Sequence, residues 1–297
     1  MNKDLSKKNS KIKVIAIVGP TASGKTAYSI DLAKQIDGEI ISADSRYVYK
    51  GFDIGTAKPT KEEQDGVPHH MIDIVEPDFD YSVGLYKKEA SRLIKEINER
   101  GNVPIITGGT GLYIDILLKN YDLPQIEANR ELRDKLMQLD TTSLFDKLEK
   151  LDKDATSIID SNDRKKIIRA IEIITTSGKP LNETRGIGES EYEIEWIGKN
   201  YDRQTLYSRI DKRVDIMVEM GLIEETKNLL TKHGRIPNLV NTIGYREIIS
   251  YLDNQCTLDE ALDLLKKNTR NYAKRQLTWF RRNQDIKWDV YAEKLKK

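Results

Sequence analysis

The chain has 297 residues, enough for one large domain or two unequal ones, and its 38% hydrophobic and 33% charged residues exclude a disordered protein. A formal net charge of +1 argues against a protein that binds polyanions over its whole surface, although a local basic face remains compatible with it. These figures favour a charge-rich globular protein with a substantial core.

The first predicted strand leads directly into a glycine-rich loop. Residues 14–18 (Val-Ile-Ala-Ile-Val) form an uninterrupted apolar run, as expected of a strand buried on both faces of a parallel sheet. The next eight residues are Gly19, Pro20, Thr21, Ala22, Ser23, Gly24, Lys25 and Thr26. They fit G-x-x-x-x-G-K-[ST] at every fixed position, and helical periodicity follows over residues 26–36. The sequence therefore predicts a P-loop.

Strands and helices continue to alternate over roughly the first 115 residues. A second strand is predicted over residues 39–42, and a third short apolar run covers 71–75. An amphipathic helix is predicted over 83–100, where Gly101 stops it, and another strand over 103–107, which ends in glycines. This alternation predicts a doubly wound α/β core.

The middle of the chain has a different pattern. Residues 129–174 are helical in periodicity and highly charged, several glycines and a proline then interrupt the pattern, and residues 192–197 alternate like a strand that returns to a sheet. We therefore predict an α/β protein with a P-loop NTPase-like parallel-sheet core and a helical insertion domain. Residues 1–123 and 191–297 form the catalytic core, with a helical C-terminal part, and residues 124–190 form the helical insertion.

The P-loop predicts a phosphate-binding site. Backbone amides of the loop and of the helix N-terminus converge on phosphate oxygens, Lys25 adds a positive charge, and the hydroxyl of Thr26 can hold Mg²⁺. The alternative is a merely tight turn between a strand and a helix. The strand and helix that flank the motif favour phosphate binding.

The position of the acidic residue is unusual for a P-loop kinase or ATPase. Such enzymes use an aspartate at the end of an apolar strand to organise Mg²⁺. The strand over residues 103–107 runs instead into Gly108 and Gly109, and the nearest acidic candidate is Asp44, after the second strand. Near bound phosphates, Asp44 could assist Mg²⁺ or act as a general base. An aspartate that caps a turn is the alternative.

Several further motifs, together with the P-loop, resemble the tRNA dimethylallyltransferase family. The segments are Ser-Ala-Asp-Ser at 42–45, Tyr-Lys-Gly-Phe-Asp-Ile-Gly-Thr-Ala-Lys-Pro at 49–59, Pro-His-His at 68–70, Gly-Gly-Thr-Gly-Leu-Tyr at 108–113, Gly-Leu-Ile-Glu-Glu at 221–225, Ile-Gly-Tyr-Arg at 243–246 and Lys-Arg-Gln-Leu-Thr-Trp-Phe-Arg at 274–281. The resemblance extends from the first strand to about Trp288. The segment from Asp53 to Pro59 is far more distinctive than the P-loop.

The resemblance implies a prenyl transfer. The P-loop would hold the diphosphate of dimethylallyl diphosphate as a leaving group, with Mg²⁺ at Thr26, and the acceptor would be the exocyclic amine of an adenosine 3′-adjacent to the tRNA anticodon. The resemblance also places Thr21 against the bridging region of the diphosphate and Arg213 near the same group. Asp44 would accept the proton of the amine. On the residues alone, Arg213 would be a surface helix charge.

The resemblance also implies contacts to the anticodon stem-loop of tRNA, and it makes the insertion over residues 124–190 a tRNA-binding domain. The target adenosine must be flipped out of its stack. These contacts are expected at Asp44, Ser45, Arg46, Tyr47, Thr110, Lys165, Lys166, Arg169, Gly244, Tyr245, Arg246, Lys274, Arg275, Gln276 and Arg281. Residues 266–287 hold eight basic residues against one acidic residue, interleaved with aromatic ones, which suits RNA. An ordinary amphipathic helix with core aromatics is the alternative.

Two positions depart from the family pattern. Many relatives have Gln where this chain has Arg46 and Tyr47, and a Gln amide can bind an adenine edge through two hydrogen bonds. The segment from Lys165 to Arg169 is a variant of the Gln-Arg-x-x-Arg pattern common in the family. The first departure leaves open how adenine is selected.

Two other functions compete with prenyl transfer: a small-molecule or nucleotide kinase that uses ATP in the same loop, and a non-catalytic RNA-binding module with a relic P-loop. The segment from Asp53 to Pro59 argues against the kinase, and the presence of Lys25, Thr26 and Asp44 argues against the relic. Residues 1–13 lack the apolar stretch of a secretory signal, no apolar run reaches the roughly 18 residues that span a bilayer, and Cys256 has no disulfide partner. We expect a cytoplasmic monomer that needs no membrane and no obligate protein partner.

Overall fold

The computed structural model describes residues 11–291, apart from 123, 125, 127, 128 and 185. The strands in this part of the chain are β1 Ile12–Val18, β2 Gly38–Ser42, β3 His69–His70, β4 Val103–Gly108, β5 Tyr121–Asp122, β6 Gly186–Ile187, β7 Tyr192–Tyr201 and β8 Lys287–Tyr291. The α-helices are α1 Lys25–Gln35, α2 Lys61–Gln64, α3 Val83–Glu99, α4 Gly111–Leu118, α5 Arg130–Met137, α6 Thr141–Leu151, α7 Lys153–Ile158, α8 Arg164–Ser177, α9 Arg203–Glu219, α10 Leu222–His233, α11 Pro237–Val240, α12 Tyr245–Leu252 and α13 Leu258–Phe280. A short 3₁₀ helix covers Leu181–Thr184.

Six strands form one sheet in the order β3-β2-β4-β1-β7-β8, and every pairing in it is parallel. This sheet confirms the predicted α/β class. The third strand lies at His69–His70, before the apolar run over residues 71–75, where Met71 and Asp73 have positive φ angles of 64° and 54°. Strand β8 was not predicted: it is five residues long, contains two charged residues (Lys-Trp-Asp-Val-Tyr) and pairs with β7 alone at the sheet edge.

The interior position of β1 explains its apolar sequence. The strand lies between β4 and β7, and helices cover both faces of the sheet. Ile15 and Ile17 pack with Ile30 of α1 on one face, whereas Val14 and Ala16 pack with the α3 and α4 side on the other. Alternation of side chains along a strand thus buries every residue of the run.

A second core lies among the C-terminal helices. Phe52, from the segment before α2, packs with Val214 of α9, Tyr245 of α12 and Leu265 of α13. The rings of Phe52 and Tyr245 meet edge to face, with centroids 4.9 Å apart. This core attaches the distinctive segment from Asp53 to Pro59 to helices that lie almost 200 residues further along the chain.

The described residues divide into two compact units. The first contains those up to Leu118 and from Glu191 onward, and it includes the six-stranded sheet. The second, Lys119–Ser190, has its own core, in which Leu144 and Leu148 of α6 pack with Ile167 and Ile171 of α8. Among the described residues, no helix combines the length and apolar composition that a bilayer-spanning helix needs.

Candidate active site

The carboxyl ends of three adjacent strands define the site. Ile17 of β1 and Ser42 of β2 are both register partners of Thr107 in β4. The loops that follow these strands therefore emerge side by side at one edge of the sheet, where ligands of open α/β sheets bind. Gly108 permits this close approach, since a Cβ there would lie 2.2 Å from the carbonyl oxygen of Ala43.

The P-loop connects β1 to α1 as predicted. Gly24 stands at the helix N-cap with φ of 80°, and no side chain caps the helix, so its first amides remain available to an anion. Lys25 Nζ donates to the carbonyl oxygen of Pro20 at 3.1 Å, which folds the side chain back across the loop. A Cβ at Gly19 would lie 2.2 Å from the Lys199 carbonyl oxygen, so the start of the loop has room only for glycine.

Two C-terminal helices hold the P-loop from its other side. From α9, Arg213 Nη1 donates to Thr21 Oγ1 at 2.9 Å and Arg209 Nε donates to the Ala22 carbonyl oxygen at 2.9 Å. From α13, Gln276 Oε1 accepts from the Thr21 amide at 2.9 Å. The structure thus brings Thr21 and Arg213 together. Sequence reasoning missed Arg209, although its spacing of four residues from Arg213 puts both on one helix face.

Positive charge is concentrated at this loop. Burial and then repulsion from Arg213 lower the pKa of Lys25 from 10.5 to about 8, against an opposing attraction from Asp44. Burial, followed by the Asp44 charge, also raises the pKa of Tyr47 well above its usual value. An anion in the loop would relieve the repulsion between Lys25 and Arg213.

Asp44 lies directly after β2 and faces the same cavity. Its Oδ1 accepts from the Arg46 amide at 2.9 Å, which is the turn-capping contact that the sequence left open. No described residue donates a hydrogen bond to its Oδ2. Thr110 supports the turn, because its Oγ1 accepts from the Ser45 amide at 3.1 Å. Turn capping and a free carboxylate oxygen therefore coexist in Asp44.

The cavity, counted together with the solvent space at its open mouth, has a volume of about 360 Å³ and contains two unpartnered buried hydroxyls. Lys25, Thr26 and Asp44 line it together with Ser42 and Thr107. The hydroxyls of Ser42 and Thr107 have no hydrogen-bond partner among the described residues. Oxygen atoms suit Mg²⁺, which keeps several of its waters when bound. The oxygen donors present here therefore fit a hydrated Mg²⁺ ion.

A half-buried carboxylate organises the segment from Asp53 to Pro59. Glu225 of α10 accepts from the amides of Ile54 and Gly55 at 2.8 and 2.9 Å and from the Tyr245 hydroxyl at 2.7 Å. Tyr47 donates its hydroxyl to the Ala57 carbonyl oxygen at 2.8 Å. These contacts fix the segment against the wall of the cavity.

A second anchor of the segment is Lys58, whose side chain is almost fully buried. Its Nζ donates to the Tyr49 carbonyl oxygen and to Asp53 Oδ1, each at 2.7 Å, and also pairs with Asp73. A buried lysine needs this degree of compensation. The distinctive sequence thus encodes a loop that is held at both ends.

Two residues expected to contact tRNA are buried instead. Tyr245 has no exposed surface, and its hydroxyl is bound to Glu225. Gln276 is 5% exposed, and both of its polar atoms bind backbone groups. Gly244 (φ 105°) packs so tightly that a Cβ would lie 2.6 Å from the Gly55 carbonyl oxygen. Burial therefore does not support direct tRNA contacts by these side chains and indicates that they position their neighbours.

The basic segment over residues 266–287 separates into an exposed and a buried part. Lys274, Arg275 and Arg281 are exposed, as is Arg246 on α12, which pairs with buried Glu247. Two aromatic residues of the basic segment contribute to packing: Phe280 is buried, and Trp279 Nε1 donates to Asp115 at 2.8 Å. The alternative of core aromatics thus applies to these two side chains, which leaves the basic residues as the surface available to RNA.

Within the second unit, Lys165 and Lys166 are exposed on α8, and Lys166 pairs with Asp163 at 2.8 Å. Arg169 is half-buried and pairs with Glu172, which also binds Arg133. This pairing holds Arg169 against its own unit, whereas the two lysines project into solvent.

Comparisons with known proteins match this architecture. The family model described as IPP transferase matches residues 47–283. A tRNA dimethylallyltransferase of Carboxydothermus hydrogenoformans is 50% identical over 96% of this chain and 94% of its own length, and one of Halalkalibacterium halodurans is 47% identical over 94% and 91%. Among solved structures, the tRNA isopentenylpyrophosphate transferase of Bacillus halodurans is 46% identical with a TM-score of 0.73, over 95% of this chain and 91% of that one. A eukaryotic dimethylallyltransferase acting on tRNA has a TM-score of 0.85 at 29% identity, over 95% and 74%.

Proposed function

The chain belongs to the IPP transferase family, and we infer that it transfers a dimethylallyl group from dimethylallyl diphosphate to the exocyclic amine of an adenosine 3′-adjacent to the tRNA anticodon. The observation that carries this proposal is the placement of a P-loop lysine and Asp44 on one cavity. One group can bind a diphosphate there while the other accepts a proton. In the transfer, a carbon–nitrogen bond forms, the carbon–oxygen bond to diphosphate breaks, and the amine proton passes to Asp44.

The P-loop would stabilise the leaving group. Negative charge grows on the diphosphate as the allylic carbon–oxygen bond breaks, and preorganised donors aimed at that charge are usually the largest catalytic contribution. Lys25, Arg213 and the uncapped amides of α1 supply such donors. Thr21 Oγ1 already accepts from Arg213, so its own proton is free to donate to a diphosphate oxygen.

We propose that Mg²⁺ assists this step. The hydroxyl of Thr26 would hold the ion, while the unpartnered hydroxyls of Ser42 and Thr107 would bind its waters. When bound, the ion supplies further positive charge to the departing diphosphate. This role explains why two hydroxyls are buried without protein partners.

Asp44 is suited to deprotonate the amine. The contact from the Arg46 amide fixes the carboxylate, and Oδ2 remains available to an incoming proton. The adenine amine is a weak nucleophile, and a base within hydrogen-bond reach lowers the barrier to its attack. The carboxylate therefore has the geometry of a general base.

Recognition of tRNA would rest on exposed basic side chains. On the first unit these are Arg246, Lys274, Arg275 and Arg281, and on the second unit Lys165 and Lys166. Such contacts position the RNA backbone without selecting a base. The Tyr47 hydroxyl is already bound to Ala57, so we propose that its ring face, rather than its hydroxyl, meets the flipped adenine. Because the residues proposed for chemistry belong to one chain, we propose that no protein partner is required.

A single labelling experiment tests the proposed function. The protein is incubated with Mg²⁺, labelled dimethylallyl diphosphate and an unmodified tRNA transcript, and we expect label in isopentenyl-adenosine. A transcript with guanosine in place of the target adenosine is the matched control and should remain unlabelled. A parallel incubation contains ATP as well, and hydrolysis of this ATP with no label in tRNA would refute the proposal in favour of a P-loop kinase or ATPase.

A further inference from the structure

Gln276 makes two contacts that join different parts of the active site. Its Oε1 accepts from the Thr21 amide at 2.9 Å, and its Nε2 donates to the Gly109 carbonyl oxygen at 3.0 Å. Thr21 belongs to the loop after β1, and Gly109 follows β4. One side chain from α13 thus connects the phosphate loop to the end of the neighbouring strand, across sequence separations of 255 and 167 residues.

The chemistry of both contacts requires a primary amide. A glutamine carries an acceptor and a donor on one rigid plane, whereas glutamate lacks the donor and methionine lacks both groups. The site is also too narrow for additional atoms. A Cβ on Gly109 would lie 2.1 Å from Gln276 Nε2, so the glycine provides the space that the amide occupies.

The contact to Thr21 fixes the orientation of its hydroxyl. With the amide bound to Gln276 and Oγ1 bound to Arg213, the main chain and the side chain of Thr21 are both held. The hydroxyl proton is then directed away from these partners. A loop that lacked the Gln276 contact would have to order Thr21 when the ligand binds, at a cost in conformational entropy.

We propose that Gln276 is a positioning residue for the diphosphate site, not a tRNA contact. Gln276 holds Thr21 in the conformation in which the Thr21 hydroxyl donates to the diphosphate. The Gly109 carbonyl oxygen in turn holds the side-chain amide of Gln276 in place. Its neighbours Lys274 and Arg275 face solvent on the same helix and are the groups available to tRNA. This inference rests on the proposed function, because it assumes a diphosphate in the loop.

The first test separates binding of diphosphate from binding of RNA. The affinity of Gln276→Met for inorganic pyrophosphate with Mg²⁺ is measured by calorimetry, both without RNA and with a saturating anticodon stem-loop. We expect a loss of about tenfold, the usual effect of losing the partner of a buried amide. Affinity for the stem-loop should change less than about twofold, within the range of a neutral substitution. Arg275→Gln is the matched control, with the reverse pattern.

A second test uses the contact between residues 109 and 276. Gly109→Ala should weaken pyrophosphate binding in the wild-type background, because its Cβ displaces the Gln276 amide. The same substitution made together with Gln276→Ala should add little, since the atom it displaces is gone. A general loss of stability would not make the effect of Gly109→Ala on pyrophosphate affinity depend on the residue at position 276. This test does not use Gln276→Met, so it remains valid if that variant folds poorly.

The outcomes separate the role of Gln276 from the proposed function of the protein. A Gln276→Met variant that binds pyrophosphate as the wild type does, but binds the stem-loop weakly, overturns this inference and makes Gln276 a tRNA contact. Equal effects of Gly109→Ala in both backgrounds also overturn it. A wild-type protein that binds no pyrophosphate under either condition would instead overturn the proposed function, and this inference with it.

Discussion

Diphosphate affinity should fall as the pH rises above about 8, because Lys25 then loses its charge. Burial and the repulsion from Arg213 bring the pKa of this lysine to about 8 in the ligand-free protein. A bound diphosphate favours the protonated amine, so binding above that pH must take up a proton. The affinity that depends on Lys25 is therefore complete below the lowered pKa and is lost as the pH rises through it.

The size of the effect follows from the titration. With a pKa of about 8, roughly one tenth of the free protein carries a protonated Lys25 at about pH 9. Affinity should therefore be about tenfold lower at about pH 9 than at about pH 7, which corresponds to about 1.4 kcal/mol. The ligand itself contributes little, because the last phosphate proton leaves near a pKa of about 6.

The assay measures dimethylallyl diphosphate affinity by calorimetry with Mg²⁺ between about pH 7 and pH 9.5. A saturating stem-loop with guanosine at the target position prevents turnover. Lys25→Arg is the matched control, because arginine keeps its charge over the whole range and should give a flat profile. Parallel profiles for the wild type and Lys25→Arg, or a flat wild-type profile, would refute the assignment of the charge to Lys25.

Three further predictions address other parts of the site. Asp44→Asn should reduce turnover by at least about a hundredfold, the usual contribution of a general base, and leave tRNA affinity within a few fold; intact turnover would make Asp44 structural. Glu225→Ala should lower the free energy of unfolding by about 3 kcal/mol, since three donors lose their acceptor. Glu224→Ala, at an exposed neighbouring position, should change the free energy of unfolding by less than about 0.5 kcal/mol. Equal losses for the two variants in thermal unfolding would contradict the proposed role of Glu225 in holding the segment from Asp53 to Pro59. Thr107→Val should leave the metal-free protein as stable as the wild type or more so, yet weaken Mn²⁺ binding in the presence of diphosphate by about tenfold in electron paramagnetic resonance; unchanged binding would remove Thr107 from the metal site.

Local sequence patterns were sufficient for the centre of the fold. The run over residues 14–18 predicted β1 because a strand buried on both faces can tolerate no polar residue. The same logic fails at the sheet edges. Strand β3 consists of two histidines, and β8 contains charged residues, so neither carries an apolar signal. Their pairing depends on neighbours that are distant in sequence, which a local pattern does not contain.

Some features of the candidate active site could likewise be predicted from the sequence, whereas others could not. The spacing of the P-loop residues, and the position of Asp44 after a strand, were visible in the sequence because one local element sets each of them. The burial of Gln276 and Tyr245 was not visible. Gln276 directly follows two exposed basic residues, Lys274 and Arg275, and its partners are more than 160 residues away. Only the packing of α13 against α4, α9 and α12 decides which of its polar side chains face the interior.

The position of the carboxylate is consistent with prenyl transfer and not with phosphoryl transfer. In a P-loop enzyme that uses ATP, an aspartate at a strand end organises the metal close to the phosphates. Here the strand beside β1 ends in Thr107 and Gly108, and the acidic residue follows β2, one strand further away. Adjacent strands lie about 4.8 Å apart, so the strand that leads to Asp44 is about one spacing further from β1 than the strand that contains Thr107. In the proposed reaction, the departing diphosphate would face mainly Lys25 and Arg213, whereas the adenine amine would meet the Asp44 carboxylate. An aspartate at position 107 should therefore repel the leaving group and slow the transfer, even though it would restore the pattern of an ATP-using enzyme.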